Sequence, residues 1–196
     1  MTVVADSKSK SVLYVVMFFT VVRIPLAMGL AVLLLTADRL STGVVIAGMG
    51  LVAAIELTDI LDGTIARRYG FVTEWGAMLD PYADSVSRLI TYWGFSMAGL
   101  ALAYVPLIMA LRDITVAYCR ITMSRFGKTV SAKLSGKIKA IFQGVGAILI
   151  ILGPLYWPYT GKWPIETLSW MIIIVTLVSV IEYAVGALTA ARQPNL

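Results

Sequence analysis

The sequence predicts an all-α, polytopic membrane protein of six transmembrane helices, folded as a single domain over residues 1–196. Three observations predict it. Hydrophobic residues make up 59% of the chain and charged residues 14%, against about 45–50% and about 25% in a soluble domain, and the mean hydropathy is +0.87. The apolar residues fall into long runs, each near the ~20 residues that span a bilayer. Lysine and arginine gather on alternate turns between those runs, which is the charge asymmetry of a polytopic protein.

Residues 1–10 form a polar segment ending in Lys8 and Lys10. With the apolar residues that follow, it imitates a signal peptide. The apolar run continues to Leu35, broken only by Arg23 and Pro25, and shows no small-residue cleavage site. It therefore reads as an uncleaved first span behind a short interfacial helix. Asp38, Arg39 and Ser41-Thr42-Gly43 make a turn. The second span runs from Val44 to about Ala66, with Ala47, Gly50 and Ala54 as a small-residue face for close helix packing. Arg67 and Arg68 close it, and the polar stretch from Arg68 to Trp75 reads as a turn. The third span runs from about Gly76 to Leu102, with Pro81 either kinking it or marking its first turn. Tyr104-Val105-Pro106 is a turn, and the fourth span covers Leu107 to about Met123. A basic loop holds Arg125, Lys128, Lys133, Lys137 and Lys139. The fifth span runs from about Ile138 to Leu155, the loop after it carries Trp157-Pro158-Tyr159 and Trp163-Pro164, and the sixth span covers Ile165 to about Ala190. Odd-numbered turns hold only Arg39 and Lys162. The charge pattern thus places both termini, and the turn after the second span, towards the cytoplasm.

Composition also excludes chemistry. With no histidine, Ser-His-Asp, Cys-His and His-metal sites are impossible. The single Cys119 allows no internal disulfide and no cysteine metal site, and in its apolar run it reads as packing. The net charge of +5 belongs with lipid headgroups on one side of a membrane, so nucleic acid is not an expected partner.

The polar residues concentrate in one stretch. Asp59 and Asp62 lie at i, i+3 on one helix. Asp80 and Asp84 lie at i, i+4 on the next, with Gly76 a turn earlier on the same face. Folded as a hairpin, these helices would aim four carboxylates into one space. Four negative charges there repel strongly unless something positive joins them. Oxygen-only ligands suit a hard cation, Mg²⁺ or Mn²⁺. The alternative is that the acids are structural ion pairs, although charges at membrane depth cost about 2.5–3.5 kcal/mol each. Gly63 and Gly76 lack side chains that would obstruct a ligand approaching the backbone; helix packing would explain them as well. Arg67 can grip a phosphate with two parallel donors. Arg23 within the first span is a functional candidate, or an arginine reaching for the interface.

Asp59, Asp62, Gly63, Ala66, Arg67, Gly76, Asp80 and Asp84 together spell D-x2-D-G-x2-A-R-x8-G-x3-D-x3-D. This resembles the signature of the CDP-alcohol phosphotransferases at every defined position and both spacers. The resemblance implies a phosphatidyl transfer from CDP-diacylglycerol to a small alcohol with release of CMP. It implies Asp59, Asp62 and Asp80 as ligands to divalent metal, two ions being expected, and Asp84 as general base that can also touch a metal. Gly63, Ala66, Arg67 and Gly76 would then line the CDP-lipid site.

Further stretches resemble the phosphatidylglycerophosphate synthase branch: Thr20-Val-Val-Arg23-Ile24, the Arg112-Asp113 pair, Leu79-Asp80-Pro81-Tyr-Ala83-Asp84 with Ser85 where lysine is usual, and Gly136-Lys137-Ile-Lys139-Ala140-Ile-Phe-Gln143 with Ala140 where threonine is usual. They imply glycerol-3-phosphate as acceptor, held by Arg23, Arg112, Arg120, Lys133 and Lys137. The basic loop would equally satisfy the positive-inside rule, and the departures at Ser85 and Ala140 keep serine, inositol phosphate and phosphatidylglycerol open as acceptors. The resemblance also implies a homodimer in a bacterial plasma membrane, with the active site facing the cytoplasm. The rival classes are a membrane prenyltransferase, which normally shows two separated acidic motifs, and a divalent-cation transporter, for which no inverted repeat or broken-helix pair is evident.

Overall fold

The computed structural model describes residues 7–69, 74–125 and 134–192, with side chains for 17–61, 64, 79–124 and 138–189. All the described elements are helices: α1 (Ser7–Thr36), α2 (Thr42–Tyr69), α3 (Glu74–Met97), α4 (Tyr104–Arg125), α5 (Leu134–Ile151), α6 (Gly153–Thr160) and α7 (Trp163–Arg192). They group into two compact units, Met1–Gly94 and Phe95–Leu196.

In the first unit α1 packs along α2. The buried face of α1 is Thr20, Arg23, Ala27, Leu30, Ala31 and Leu34, at helical spacing, while Phe18, Val21, Met28, Val32 and Leu35 are exposed. Apolar residues turned outwards are what a lipid-facing surface requires. Helix α1 is continuous from Ser7 through Pro25, with no break between an interfacial segment and the span among the described residues. Ser41 caps α2, its Oγ accepting from the Val44 N–H at 3.4 Å. The packing face of α2 is Val45, Val52, Ile55 and Thr58. The small-residue face expected at Ala47, Gly50 and Ala54 is only partly covered by the described residues: Ala47 is exposed, Ala54 is half-buried, and a Cβ added at Gly50 would meet nothing within 4 Å. Bulkier β-branched residues fill the contact instead. On α3, a Cβ at Gly94 would lie 3.1 Å from both Cα and Cβ of Ala31, so glycine permits close approach to α1. Pro81 lies inside a continuous α3.

The second unit begins with the end of α3. Gly99 takes φ +70°, its N–H bonding the Ser96 carbonyl at 3.1 Å and the Leu100 N–H that of Phe95 at 2.8 Å. This paired pattern satisfies carbonyls that the helix leaves open. The third helix thus stops at Met97 rather than near Leu102. Tyr104-Val105-Pro106 opens α4, where proline in a first turn loses no helical bond. Helices α4 and α5 both pack on α7, through Ser169, Ile172, Ile173, Thr176, Ser179 and Tyr183 of α7. Small hydroxylated residues at such a contact allow close approach and hydrogen bonding where lipid removes the hydrophobic drive. The expected fifth span is broken. Helices α5 and α6 meet at 68°, because Pro154 cannot donate back into the α5 ladder, and Trp157-Pro158-Tyr159 lies in α6 rather than in a loop.

Among the described residues three helices are long and apolar enough to cross a membrane, over Met17–Thr36, Thr42–Leu61 and Trp163–Thr189; the bent pair Ile138–Ile151 with Gly153–Thr160 makes four if it is one span. The predicted six is not reached by length and composition. Charged residues lower the hydropathy of the other two long helices: Asp80, Asp84 and Arg88 in α3, and Arg112, Asp113 and Arg120 in α4. The chain is an all-helical integral membrane protein.

Candidate active site

In the first unit, α1, α2 and α3 bring their charged residues into one alternating network. Arg23, 1% exposed, reaches from α1 to both other helices. Its Nη1 donates to Asp59 Oδ1 of α2 and its Nη2 to Asp80 Oδ1 of α3 at 2.8 Å. Arg88 of α3 donates through Nε to Asp84 Oδ1 at 2.6 Å. It also pairs with Glu56 at 3.7 Å and, more loosely, with Asp59 at 4.0 Å. The i, i+4 spacing makes the Arg88–Asp84 pair a local product of the helix. The Arg23 bridges require the packing of three helices. Both guanidiniums are buried, whereas Asp59, Asp80 and Asp84 are 37%, 58% and 33% exposed. The acids form the accessible layer and the arginines back it.

This arrangement differs from one cluster of four converging carboxylates. Asp59 and Asp80 converge on Arg23, and Asp59 and Asp84 on Arg88. Among the described residues no three acids lie close enough to hold one ion. Asp62, Gly63, Ala66 and Arg67 continue α2, and Gly76 lies in the first turn of α3, but their side-chain surroundings lie outside the described residues. Among the described side chains, four carboxylates (Glu56, Asp59, Asp80, Asp84) share two guanidiniums. Carboxylates outnumber guanidiniums among these side chains, and the more exposed side chains are the carboxylates, oxygen donors of the kind Mg²⁺ or Mn²⁺ prefer. The donor chemistry suits such an ion, although the described acids do not form a closed cage for it.

The second unit holds a second polar cluster. Arg112 of α4 donates to Asp113 Oδ1 at 2.8 Å and to Ser179 Oγ at 2.9 and 3.3 Å, and lies 5.4 Å from the Tyr183 ring centroid. Lys139 of α5 donates to the same Asp113 oxygen at 3.0 Å. Arg120 is exposed; it donates to the Tyr183 hydroxyl at 3.3 Å and lies over the same ring. Gln143 donates to Thr176 Oγ1 at 3.3 Å. Lys133 lies outside the described residues, as does the side chain of Lys137. Of the predicted acceptor cations, then, Arg112 and Arg120 share Tyr183, while Arg23 sits in the first unit against the aspartates. Lys139, expected in a basic loop, is buried within α5.

Sequence reasoning passed over Glu56 and gave Arg88 and Lys139 no place in a site. Each carried a signal. Glu56 is one turn before Asp59 in an otherwise apolar run, and Arg88 is one turn after Asp84. Lys139 is one turn before Gln143, whose side chain is buried on the same helix.

A probable phosphatidylglycerophosphate synthase of Mycobacterium tuberculosis is 31% identical over 134 residues, which is 67% of this chain and 61% of that protein. The chain thus spans less than two thirds of that relative's length. A CDP-diacylglycerol–glycerol-3-phosphate 3-phosphatidyltransferase of Bacillus subtilis is 30% identical over 142 residues, 70% of this chain and 72% of that one. The crystal structure of a Mycobacterium tuberculosis phosphatidylinositol phosphate synthase superposes with a TM-score of 0.59, covering 91% of this chain and 93% of that chain at 21% identity; at that identity the likeness shows the fold alone. Residues 13–189 match the CDP-alcohol phosphatidyltransferase family model. With the complete aspartate motif and its arginine-backed network, they place this chain in the CDP-alcohol phosphatidyltransferase family.

Proposed function

We propose that this chain transfers the phosphatidyl group of CDP-diacylglycerol to glycerol-3-phosphate, releasing CMP. The observation that carries the proposal is the exposed, positive-charge-deficient carboxylate layer of the first unit, built from the family motif. The relatives' names support the choice of acceptor, and so does the buried Arg112–Asp113–Lys139 cluster, where two cations share one carboxylate. An excess of fixed positive charge favours a phosphorylated alcohol over a neutral one.

In the reaction, the acceptor hydroxyl oxygen bonds to the phosphorus that carries diacylglycerol. The bond from that phosphorus to the bridging oxygen breaks, CMP leaves, and the hydroxyl proton passes to Asp84. Asp59, Asp62 and Asp80, with Asp84 beside them, would hold divalent metal. Mg²⁺ or Mn²⁺ bound there, as one or two ions, would neutralise the pyrophosphate and stabilise the leaving phosphate. Asp84 is steered by Arg88, whose Nε fixes one carboxylate oxygen, and a base must be held within direct reach of the proton it takes. Gly63, Ala66 and Gly76 leave room for the nucleotide against the helix backbones, and Arg67 grips a phosphate. Arg112 and Arg120, together with Lys133 and Lys137, receive the acceptor phosphate. The working form is a homodimer with its termini and active site on the cytoplasmic side.

CMP release by the purified protein tests this reading. CDP-diacylglycerol and Mn²⁺ are supplied with glycerol-3-phosphate, serine, inositol phosphate or phosphatidylglycerol in turn. Release that depends on glycerol-3-phosphate is expected, and EDTA stops it. Dependence on another acceptor keeps the reaction class and reassigns the pocket, with Ser85 and Ala140 as the positions to exchange. No release with any acceptor, accompanied by Mn²⁺ flux into liposomes, would establish the transporter alternative.

A further inference from the structure

We infer that Arg23 is a built-in counter-ion that holds the aspartates together without metal and must be displaced when metal binds. The inference rests on the reading that a divalent ion occupies these carboxylates. Its basis is the position of one guanidinium. Asp59 belongs to α2 and Asp80 to α3, and nothing within either helix makes their carboxylates converge. They converge on Arg23, whose two terminal nitrogens each serve one of them. An ion that took those same Oδ1 atoms would compete with the guanidinium for them.

Arg88 makes a different kind of contact. Its short bond is to Asp84 on its own helix, and its contact with Asp59 is at 4.0 Å. Arg88 also reaches across to Glu56 of α2 at 3.7 Å, but its short bond holds Asp84 on its own helix and it does not join Asp59 to Asp80. Arg88 is therefore a fixed positioning residue for Asp84, while Arg23 competes with the ion. Arg23 is 1% exposed, so the competing charge is delivered from the protein side, and the half-exposed aspartates face outwards. An ion can thus approach the acids from their open side and push the guanidinium off them. Without ion, Arg23 limits the mutual repulsion of Asp59 and Asp80 that would otherwise separate α2 from α3. The exchange makes the metal-free enzyme stable at the cost of metal affinity.

The test is Mn²⁺ binding by the full chain in nanodiscs, followed by electron paramagnetic resonance, with thermal midpoints measured in EDTA and in saturating Mn²⁺. Neither readout depends on turnover. In R23Q, Mn²⁺ affinity is expected to rise at least tenfold. Its midpoint in EDTA falls below wild type, and the gap narrows when Mn²⁺ is saturating. R23K, which keeps one charge but can serve only one carboxylate closely, should fall between the two and covers the case in which R23Q does not fold. Wild-type binding with unchanged or weaker affinity in the variants overturns the counter-ion role and leaves the metal reading standing. Absence of Mn²⁺ binding in wild type and variants alike overturns the metal reading, and this inference with it.

Discussion

The two units of this molecule solve the same problem, charge within an apolar helix bundle, with opposite signs and opposite openness. The first buries its arginines and leaves its carboxylates partly exposed, four acids to two cations among the described side chains. The second buries everything at its centre: Arg112, Lys139 and Asp113 are each at most 10% exposed at the side chain, with two cations to one acid. The first has an accessible layer wanting positive charge. The second has a nearly sealed cluster in which Arg112 and Lys139 meet the same Asp113 oxygen. Each character is built by its own set of helices. Charged pairs at membrane depth survive when each member has a partner, so the imbalance within each cluster is the informative quantity.

The largest expected effect comes from breaking the open side. Asp84→Asn keeps the shape and removes the proton acceptor, so turnover should fall about 10²–10⁴-fold, while CDP-diacylglycerol binding in a filtration assay stays near wild type. Loss of donor binding with turnover retained would remove Asp84 from the base role. A smaller effect is expected from the sealed side. Arg112→Lys keeps the charge but loses the forked contacts to Asp113 and Ser179. Its KM for glycerol-3-phosphate should rise about tenfold, the weight of one charge-assisted hydrogen bond of roughly 1.5 kcal/mol, with the donor KM unchanged. Equal increases in both constants would mean that the second unit does not discriminate acceptor from donor.

The smallest effect tests the frame of the first unit. Gly94→Ala puts a methyl 3.1 Å from the Cα and Cβ of Ala31, where backbone must give way. It should cost about 1–2 kcal/mol and lower the thermal midpoint by a few degrees. A rise in Mn²⁺ affinity alongside that loss of stability would show that the α1–α3 spacing also sets the grip of Arg23.

Much of this was legible before any coordinates. The aspartate motif stands out because charge is expensive in apolar sequence and this chain concentrates it at helical spacing. Other features were misread for identifiable reasons. Ala47, Gly50 and Ala54 looked like a packing face, yet a stripe of small residues says only that close approach is permitted, and β-branched neighbours supply the contact instead. The six-span count followed apolar runs, and length and composition do not reach it among the described residues because charged side chains lower the hydropathy of α3 and α4. The break between α5 and α6 was signalled by Gly153-Pro154, but the apolar residues on either side hid it. Lys139 looked like a loop charge because its neighbours in sequence are basic, and only the packing of α5 buries it against Asp113.

By itself, then, the sequence determined the helical membrane class, the absence of histidine and cysteine chemistry, and which carboxylates are available, because these follow from composition and from spacing along one helix. The tertiary structure alone decided which charges meet. Arg23 lies far from Asp59 and Asp80 in the chain, and Asp113 is separated from Lys139 by a whole inter-helix connection. No periodicity within a single helix encodes such encounters. They exist because helices pack at fixed separations, and a buried guanidinium or ammonium then turns to the carboxylate that packing has placed within its reach.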